Sequence, residues 1–224
     1  MSVIEQVIAT ERSKHRHAPT LRRSATAAIK RRLLFRYRRP PRGPAYLNLG
    51  AGTKHYEGFC SADHSAPLRF LWERQPAFWL LDASRPWPCD NDRWAGIFSE
   101  HMLEHLDYAG AIHAMRECLR TTEPGGWLRV ITPDLGKYAA CYQGQPPNER
   151  FERFTYGALA ISTLTQNAGH RSVWDAELMM DALTEVGWTG VREARFGEGG
   201  EPALLRDSPE RRWTSLYVKC RKPA

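Results

Sequence analysis

The sequence predicts an α/β fold in which a mostly parallel sheet carries helices on both faces. Seven short segments with the composition of strands alternate with helical patterns along the chain, an order typical of parallel sheets. The first of these segments runs directly into the glycine turn Gly50-Ala51-Gly52. With 224 residues, the chain is long enough for one such domain and a short appendage.

The predicted strands and helices follow one another in a regular order. Apolar runs predict strands at residues 45–49, 59–63, 78–82, 96–99, 127–132, 188–194 and 213–220. Helical spacing predicts helices at residues 108–120, 151–165 and 176–186. Asp107 and Asp175 stand where N-caps are expected, and Gly187 stands where the last of these helices should end.

An N-terminal arm, residues 1–42, carries all of the excess positive charge of +7. The arm contains 12 Lys and Arg residues against two acidic residues, whereas residues 43–224 contain 20 against 23. We therefore predict two parts, the basic, partly helical arm and a single domain at 43–224. Within the arm, residues 21–39 have the spacing of a basic amphipathic helix, which Pro40 and Pro41 would end.

The clustered lysine and arginine residues of segment 12–42 suit two kinds of partner. One is an anionic membrane surface and the other is a nucleic acid, since both attract clustered positive charge. A solvated tail, or a helix packed on the domain, would explain the same composition. The slight net negative charge of residues 43–224 disfavours nucleic acid as a partner, so binding of nucleic acid would depend on the arm alone.

Composition excludes several classes of protein. The mean hydropathy of -0.54, together with the lack of a long apolar run, excludes a membrane-spanning chain. The five cysteines are scattered without zinc-ligand spacing, so they predict neither a disulfide scaffold nor a structural zinc site. We expect a cytoplasmic protein, peripheral at a membrane if the arm binds lipid.

Candidate ligand-binding residues follow the first predicted strands. In open α/β sheets, ligands bind at the carboxyl ends of the strands. Gly50 and Gly52 follow the first strand and allow the backbone to approach a ligand closely. Asp63 ends the second strand, where a carboxylate can accept hydrogen bonds from ribose hydroxyls, and Asp82 ends the third. His55 occupies the position of the third glycine in the dinucleotide-binding pattern, which disfavours NAD and FAD.

Several motifs occur in a characteristic order: Leu47-Asn48-Leu49-Gly50-Ala51-Gly52, Asp63, Asp82, Ser99 to Leu106, and Pro124-Gly125-Gly126. Together they resemble the class I S-adenosylmethionine-dependent methyltransferases, above all their small bacterial type 11 branch. The similarity covers residues 45–135 and continues more weakly to the C-terminus. It implies a Rossmann-like fold whose seven-stranded sheet has an antiparallel last strand, 213–220. The branch often places an aspartate before the fourth strand, where this chain has Ala95.

The resemblance implies S-adenosylmethionine as the cofactor and assigns residues to its parts. Gly50 and Gly52 would face the methionine part, Asp63 the ribose and Asp82 the adenine end. Glu100 and His101 would line the floor of the pocket near the sulfonium. The cofactor-binding residues expected on this basis are Asn48, Gly50, Ala51, Gly52, Asp63, Asp82, Ala83, Ser99 and Glu100.

Methyl transfer requires few catalytic groups. It is an in-line displacement at a sulfonium methyl, so close alignment of the acceptor supplies much of the catalysis. A hydroxyl acceptor also loses a proton and needs a base, for which His101, His105 and His170 are the candidates. We therefore expect O-methylation of a small molecule, or of a saccharide or secondary-metabolite precursor. A homodimer is the default expectation for the oligomeric state.

Two alternatives are open at this stage. His101-x-x-Glu104-His105, joined by His170, is similar to the Glu-x-x-Glu-His metal site of certain quinone and small-RNA methyltransferases, with a histidine replacing the first glutamate. Metal-assisted methyl transfer is therefore an alternative to the expected transfer without a metal. The other alternative is a non-catalytic module that binds S-adenosylmethionine and is tethered to a membrane or RNA by its arm. Methylation of a base amine is disfavoured, because residues 99–102 lack the Asp/Asn-Pro-Pro-aromatic loop of such enzymes.

Overall fold

The computed structural model describes residues 2–15, 39–64, 77–166 and 169–224. Its seven-stranded sheet has the order β3-β2-β1-β4-β5-β7-β6, in which the β5–β7 and β6–β7 pairs are antiparallel and the other pairs are parallel. The predicted α/β class, with a mostly parallel sheet and an antiparallel last strand, is confirmed. The strands are β1 Tyr46–Leu49, β2 Phe59–Asp63, β3 Phe78–Leu80, β4 Trp94–Glu100, β5 Thr122–Pro133, β6 Thr189–Glu193 and β7 Ser215–Arg221.

The described α-helices are α1 Val3–His15, α2 Tyr108–Thr121, α3 Leu135–Tyr142, α4 Glu149–Glu152, α5 Gly157–Gln166 and α6 Ala176–Val186. The predicted caps are present. The Asp107 side chain accepts a hydrogen bond from the Gly110 amide, and the Asp175 side chain accepts one from the Leu178 amide. Gly187 ends α6 with a φ of 114°, in the left-handed region that glycine adopts without strain.

The single helix predicted over residues 151–165 is wrong. The structure divides this stretch into α4 and α5. Gly157 begins α5 against the end of α3, and a Cβ on it would lie 2.5 Å from the Cα of Tyr142. This close contact is possible only because the first residue of α5 is a glycine, which has no Cβ. Helix α3 itself has no counterpart in the sequence prediction.

Alternate residues of each strand point to opposite faces of the sheet, and the two faces carry different cores. In β4, for example, Ile97 lies in the larger apolar cluster and Phe98 in the smaller one. The larger cluster contains buried residues of α1, α2 and α6, so these helices cover one face. On the other face, Phe59, Phe98 and Tyr217 pack with Leu204 from the connection between β6 and β7.

Helix α1 joins the start of the arm to the domain. Its Ile4 and Val7 are buried in the larger apolar cluster, and the Ile4 amide donates to Glu185 Oε2 of α6 at 3.1 Å. The amphipathic helix predicted at 21–39 lies almost wholly outside the described residues, so that helix, its partners and the division at residue 42 stay predictions. No helix in the described ranges has the length and apolar character needed to cross a membrane.

The connection between β6 and β7 is fastened to the sheet by a buried ion pair. Arg129 of β5 and Asp207 of the connection have side chains that are each 2% exposed, and their closest atoms are 2.5 Å apart. The pair is bidentate, because Arg129 Nε also donates to Asp207 Oδ1 at 2.7 Å. The guanidinium further donates to the carbonyls of Glu198 and Arg195. All the polar groups of this cation therefore have partners, which is the condition under which a buried charge is tolerated.

Replacing Asp207 with Ala should lower the free energy of unfolding by about 3–5 kcal/mol, because it leaves an uncompensated buried guanidinium. Denaturant titration followed by tryptophan fluorescence measures the change. The matched control is Asp90→Ala, which removes an ion pair to Arg39 whose two side chains are both 72% exposed. The control should unfold like the unchanged protein, since exposed pairs contribute little. Equal losses in the two variants would contradict a structural role for the buried pair.

Candidate functional site

A large cavity opens at the carboxyl ends of β1, β2, β3 and β4. Its volume is ≈ 770 Å³, a size suited to a nucleoside-type cofactor with part of a second ligand. Residues from four strand ends, from the segment 169–171 and from the β6–β7 connection line it. The predicted site residues on its wall are Gly50, Ala51, Gly52, Asp63, Asp82, Ala83, Glu100, His101 and His105.

The glycine loop after β1 has a conformation that requires glycine. Gly50 and Gly52 have φ values of 75° and 54°. A Cβ on Gly50 would lie 2.3 Å from the side chain of Met102, whereas a Cβ on Gly52 would meet no atom within 4 Å. The Gly52 amide donates to Asp63 Oδ2 at 2.9 Å, so the loop is tied to the end of β2. The loop and Asp63 therefore form one rigid rim of the cavity.

Asp82, the residue expected to contact the adenine end of the cofactor, follows β3. Asp82 is 7% exposed, and its Oδ1 accepts hydrogen bonds from the Ser84 hydroxyl at 2.6 Å and from the Ser84 amide at 3.2 Å. This Asx-type turn fixes the carboxylate and places Ala83 beside it on the cavity wall.

Two predicted cofactor residues support the wall from behind. Asn48 and Ser99 are each 2% exposed and do not line the cavity. Asn48 lies within β1, and its Nδ2 donates to the carbonyl of Lys54 at 3.3 Å, which braces the glycine loop. Ser99 lies within β4, where it pairs with Leu49. Their position suggests support of the loop and of the strand ends more than contact with a ligand.

Glu100 is held as an anion at the end of β4. Burial raises its pKa, but hydrogen bonds from the side chain and amide of Ser208, and the contact with Lys54, more than offset this, so the pKa is lowered overall. The Ser208 amide donates to Glu100 Oε1 at 2.8 Å, and Lys54 Nζ lies 3.0 Å from Oε2. The Ser208 hydroxyl also donates to this carboxylate. Glu100 thus joins the glycine loop to the β6–β7 connection.

His101 has an unusual backbone, and its ring lies between Ser215 and Glu104. Its φ of 53° is in the left-handed region, which non-glycine residues adopt at a cost of roughly 1–2 kcal/mol. Its Nδ1 lies 3.1 Å from Glu104 Oε1, and its Nε2 lies 2.8 Å from Ser215 Oγ. The Ser215 hydroxyl donates to the Arg211 carbonyl, so Nε2 donates to Ser215. Nε2 is therefore occupied within the protein, and Nδ1 faces the Glu104 carboxylate.

His105 and His170 lie side by side, with ring centroids 5.1 Å apart. His105 lines the cavity, whereas His170 lies just behind the wall formed by its neighbours Gly169 and Arg171. Burial lowers the pKa of His105, and the nearby His170 and His101 lower it further, against the opposing effects of Glu104 and of a hydrogen bond to the Gly169 backbone. His170 Nδ1 donates to a backbone carbonyl at 2.6 Å, which leaves Nε2 as the nitrogen with the lone pair.

Glu104 completes this histidine cluster. Its side chain is 2% exposed, and neither carboxylate oxygen accepts a hydrogen bond of good geometry from the described residues. One ligand atom each of Glu104, His105 and His170 can be chosen so that all lie within 4.8 Å of one another. Of the four predicted metal-ligand candidates, the structure therefore groups these three, while His101 is joined to them through Glu104.

Sequence reasoning missed several residues of the cavity. Lys54 stands two residues beyond Gly52, a proximity that could have marked it. Arg171 and Arg211 also line the cavity, and Ser208 and Ser215 hold residues that do. These reach the site through the folding of distant segments, and no local motif indicates them.

The fold and the position of the cavity can be compared with known proteins. No family model matches this chain, and no curated protein sequence matches it. Among solved structures, a SAM-dependent methyltransferase from Archaeoglobus fulgidus has a TM-score of 0.53 at 14% identity, over 88% of this chain and 92% of that one. A possible exported protein from Bordetella parapertussis has a TM-score of 0.54 at 18% identity, over 88% of this chain and 67% of that one.

A third similar structure comes from Haloferax volcanii. It is a complex between the Trm112 methyltransferase activator and a methyltransferase, with a TM-score of 0.50, 14% identity and coverage of 88% of each chain. Many of the similar structures are SAM-dependent class I methyltransferases, and at such low identities the similarity establishes the fold. This chain therefore has the Rossmann-like fold of the class I SAM-dependent methyltransferases, as the sequence motifs predicted.

Proposed function

We propose that this protein is an S-adenosylmethionine-dependent methyltransferase that methylates a hydroxyl group of a small molecule or of a saccharide precursor. One observation carries the proposal. The glycine loop, Asp63 and Asp82 line the same cavity as His105, a histidine whose pKa is lowered. The fold shared with SAM-dependent methyltransferases supports it. The five cysteines are all free, which supports a reducing compartment such as the cytoplasm.

In this proposal, each part of the cofactor binds at the end of a different strand along the edge of the sheet. Asp82 at β3 would accept from the adenine amino group and Asp63 at β2 from the ribose hydroxyls, while the glycine loop after β1 would take the methionine part. The sulfonium methyl would then lie near the end of β4, where Glu100 is anionic. A carboxylate close to a sulfonium favours cofactor binding through charge, and the fixed geometry aligns the acceptor for in-line transfer.

His105 is the histidine best suited to remove the hydroxyl proton. It faces the cavity, and its pKa, lowered from 6.5, keeps it neutral at pH 7. His101 has its Nε2 bonded to Ser215 and its Nδ1 beside Glu104, and His170 is not among the residues that line the cavity. In this proposal His101 and His170 position Glu104 and His105, and the proton of the acceptor passes to the free nitrogen of His105.

Calorimetric titration with S-adenosylhomocysteine tests the cofactor site. We expect a dissociation constant in the micromolar range, about -8 kcal/mol. Asp63→Ala should weaken binding at least tenfold, because hydrogen bonds to a charged group contribute about 1.5–3 kcal/mol. Asp175→Ala is the control, since this aspartate caps α6 away from the cavity and should leave the affinity unchanged. No binding by the unchanged protein would overturn the proposed function.

The role of His105 is tested by the pH dependence of methyl transfer from radiolabelled S-adenosylmethionine to a panel of hydroxylated sugars and phenols. The neutral ring is the active form, so kcat/KM should be constant near pH 7 and fall tenfold per pH unit once the pH passes below the lowered pKa of His105. His105→Gln should lose at least 100-fold in kcat and retain its affinity for S-adenosylhomocysteine. Retention of kcat in this variant would contradict the base role.

A second candidate, metal-assisted transfer, is favoured by the Glu104 cluster. A buried carboxylate without a hydrogen bond among the described residues is costly unless a cation or proton meets it. His170 donates its Nδ1 hydrogen to a carbonyl, the arrangement by which proteins commonly orient metal-binding imidazoles. Glu104, His105 and His170 would hold a divalent transition metal such as Zn²⁺ or Co²⁺, which as a Lewis acid can lower the pKa of a bound hydroxyl.

Visible absorption during a Co²⁺ titration separates the two candidates. If the cluster binds metal, one equivalent should produce a saturable absorption band that His170→Ala abolishes. His55→Ala is the control, because this histidine contacts Ser61 outside the cluster. If the band is absent and EDTA leaves methyl transfer unchanged, the metal candidate is wrong and His105 acts as a base.

A further inference from the structure

One cationic side chain of the cavity is not neutralised by any residue that the structure describes. Of the described residues, three Lys or Arg residues line the cavity, namely Lys54, Arg171 and Arg211. Lys54 pairs with Glu100 at 3.0 Å, and Arg171 pairs with Asp107 at 2.5 Å. Among the residues that the structure describes, none forms an ion pair or hydrogen bond with the guanidinium of Arg211. A charged group that faces a cavity without an internal partner is available to a ligand.

The backbone of Arg211 is nevertheless fixed. It ends the 3-10 turn Pro209–Arg211, and its amide donates to the Ser208 carbonyl at 3.0 Å. Its carbonyl accepts from Ser215 Oγ at 2.8 Å. Ser208 is itself bonded to Glu100, so both ends of the turn are attached to the wall of the cavity. The turn thus positions the guanidinium at the cavity, although no described residue is a partner of the side chain.

Sheet order places the turn that carries Arg211 away from the adenine and ribose end of the cavity. Strand β7 is antiparallel to β5, so its first residue, Ser215, lies at the edge where the parallel strands end. From Asp82 at β3, this edge passes β2, β1, β4 and β5 before it reaches β7. The proposed adenine, ribose and methionine positions occupy β3 to β1. Arg211, joined through Ser215 to His101, lies beyond the proposed adenine and ribose positions. Its neighbour Glu210 pairs with Lys54 next to the glycine loop, so the guanidinium would lie where the methionine part and the acceptor meet.

From these contacts we infer that the methyl acceptor carries an oxyanion group, a phosphate or a carboxylate, which Arg211 binds. The inference rests on the proposed function and adds the chemical class of its substrate. A guanidinium presents a planar fork of N–H donors that matches both kinds of oxyanion. The cofactor also has a carboxylate, so the experiment must distinguish these two sources of the same chemistry.

The first arm of the test measures binding of S-adenosylhomocysteine and of 5′-methylthioadenosine, which lacks the amino-acid part and its carboxylate. Arg211→Gln should bind both ligands within twofold of the unchanged protein. Arg212→Gln is the matched control, because Arg212 stacks on exposed Trp213 at 3.9 Å and does not line the cavity. If Arg211→Gln weakens S-adenosylhomocysteine tenfold and spares methylthioadenosine, Arg211 binds the cofactor carboxylate and the inference is overturned.

The second arm uses protein saturated with S-adenosylhomocysteine, so that the cofactor carboxylate is already in place. Inorganic phosphate, and separately acetate, is titrated at constant ionic strength while the arginine Nε–Hε resonances are followed by NMR. We expect a saturable shift of the Arg211 resonance with at least one anion, with other arginine resonances unmoved. Arg212→Gln should retain the response. Arg211→Lys should remove the assigned resonance, and a fluorescence competition should still detect anion binding that is weaker than in the unchanged protein.

The outcomes separate the inference from the proposed function. An unchanged protein that binds neither cofactor ligand contradicts both. A protein that binds S-adenosylhomocysteine and shows no saturable anion response at Arg211 contradicts the inference alone. A response to phosphate alone favours a phosphorylated acceptor and a response to acetate alone favours a carboxylate. A response to both supports the inference without separating the two classes.

Discussion

The buried ion pair between Arg129 and Asp207 fixes the connection between β6 and β7, and the part of the cavity wall that carries Arg211 depends on that connection. Asp207 directly precedes Ser208, which holds Glu100, and the turn that carries Arg211 follows at once. A buried charge pair is costly to desolvate, and this one is retained because the guanidinium is also satisfied by two carbonyls. The pair thus helps to fix a long irregular segment that Glu100 and Lys54 join to the glycine loop.

The end of β4 shows how the wall controls charge. Hydrogen bonds from Ser208 and Lys54 keep Glu100 anionic in spite of its burial, so its pKa is lowered. At His105, burial lowers the pKa and favours the neutral ring. Glu104 and a hydrogen bond to the Gly169 backbone raise the pKa, but they do not offset the effect of burial. A fixed anion and a neutral imidazole therefore face one cavity. This pairing suits a positively charged cofactor beside an acceptor that must lose a proton.

The sequence predicted the parts of this fold that local patterns determine. Strand positions, the caps at Asp107 and Asp175, and the gathering of Asp63 and Asp82 at one edge all follow from periodicity and from parallel topology. The break between α4 and α5 was missed because it arises from the contact of Gly157 with α3, which no helical periodicity records. The position of a strand end can be predicted from neighbouring residues, whereas the partner of a side chain often lies far away in the sequence.

The same distinction separates the two halves of the cavity. The cofactor half is built from residues that follow β1, β2 and β3 directly, so any chain with this fold and these strand ends can present it. The acceptor half is built from the segment 169–171 and from the turn at Arg211, which reach the cavity only through tertiary contacts. Segments of this kind can change without disturbing the sheet, and chemical specificity in shared folds resides in such places. The identity of the acceptor should therefore follow the charge at Arg211 more closely than it follows the fold.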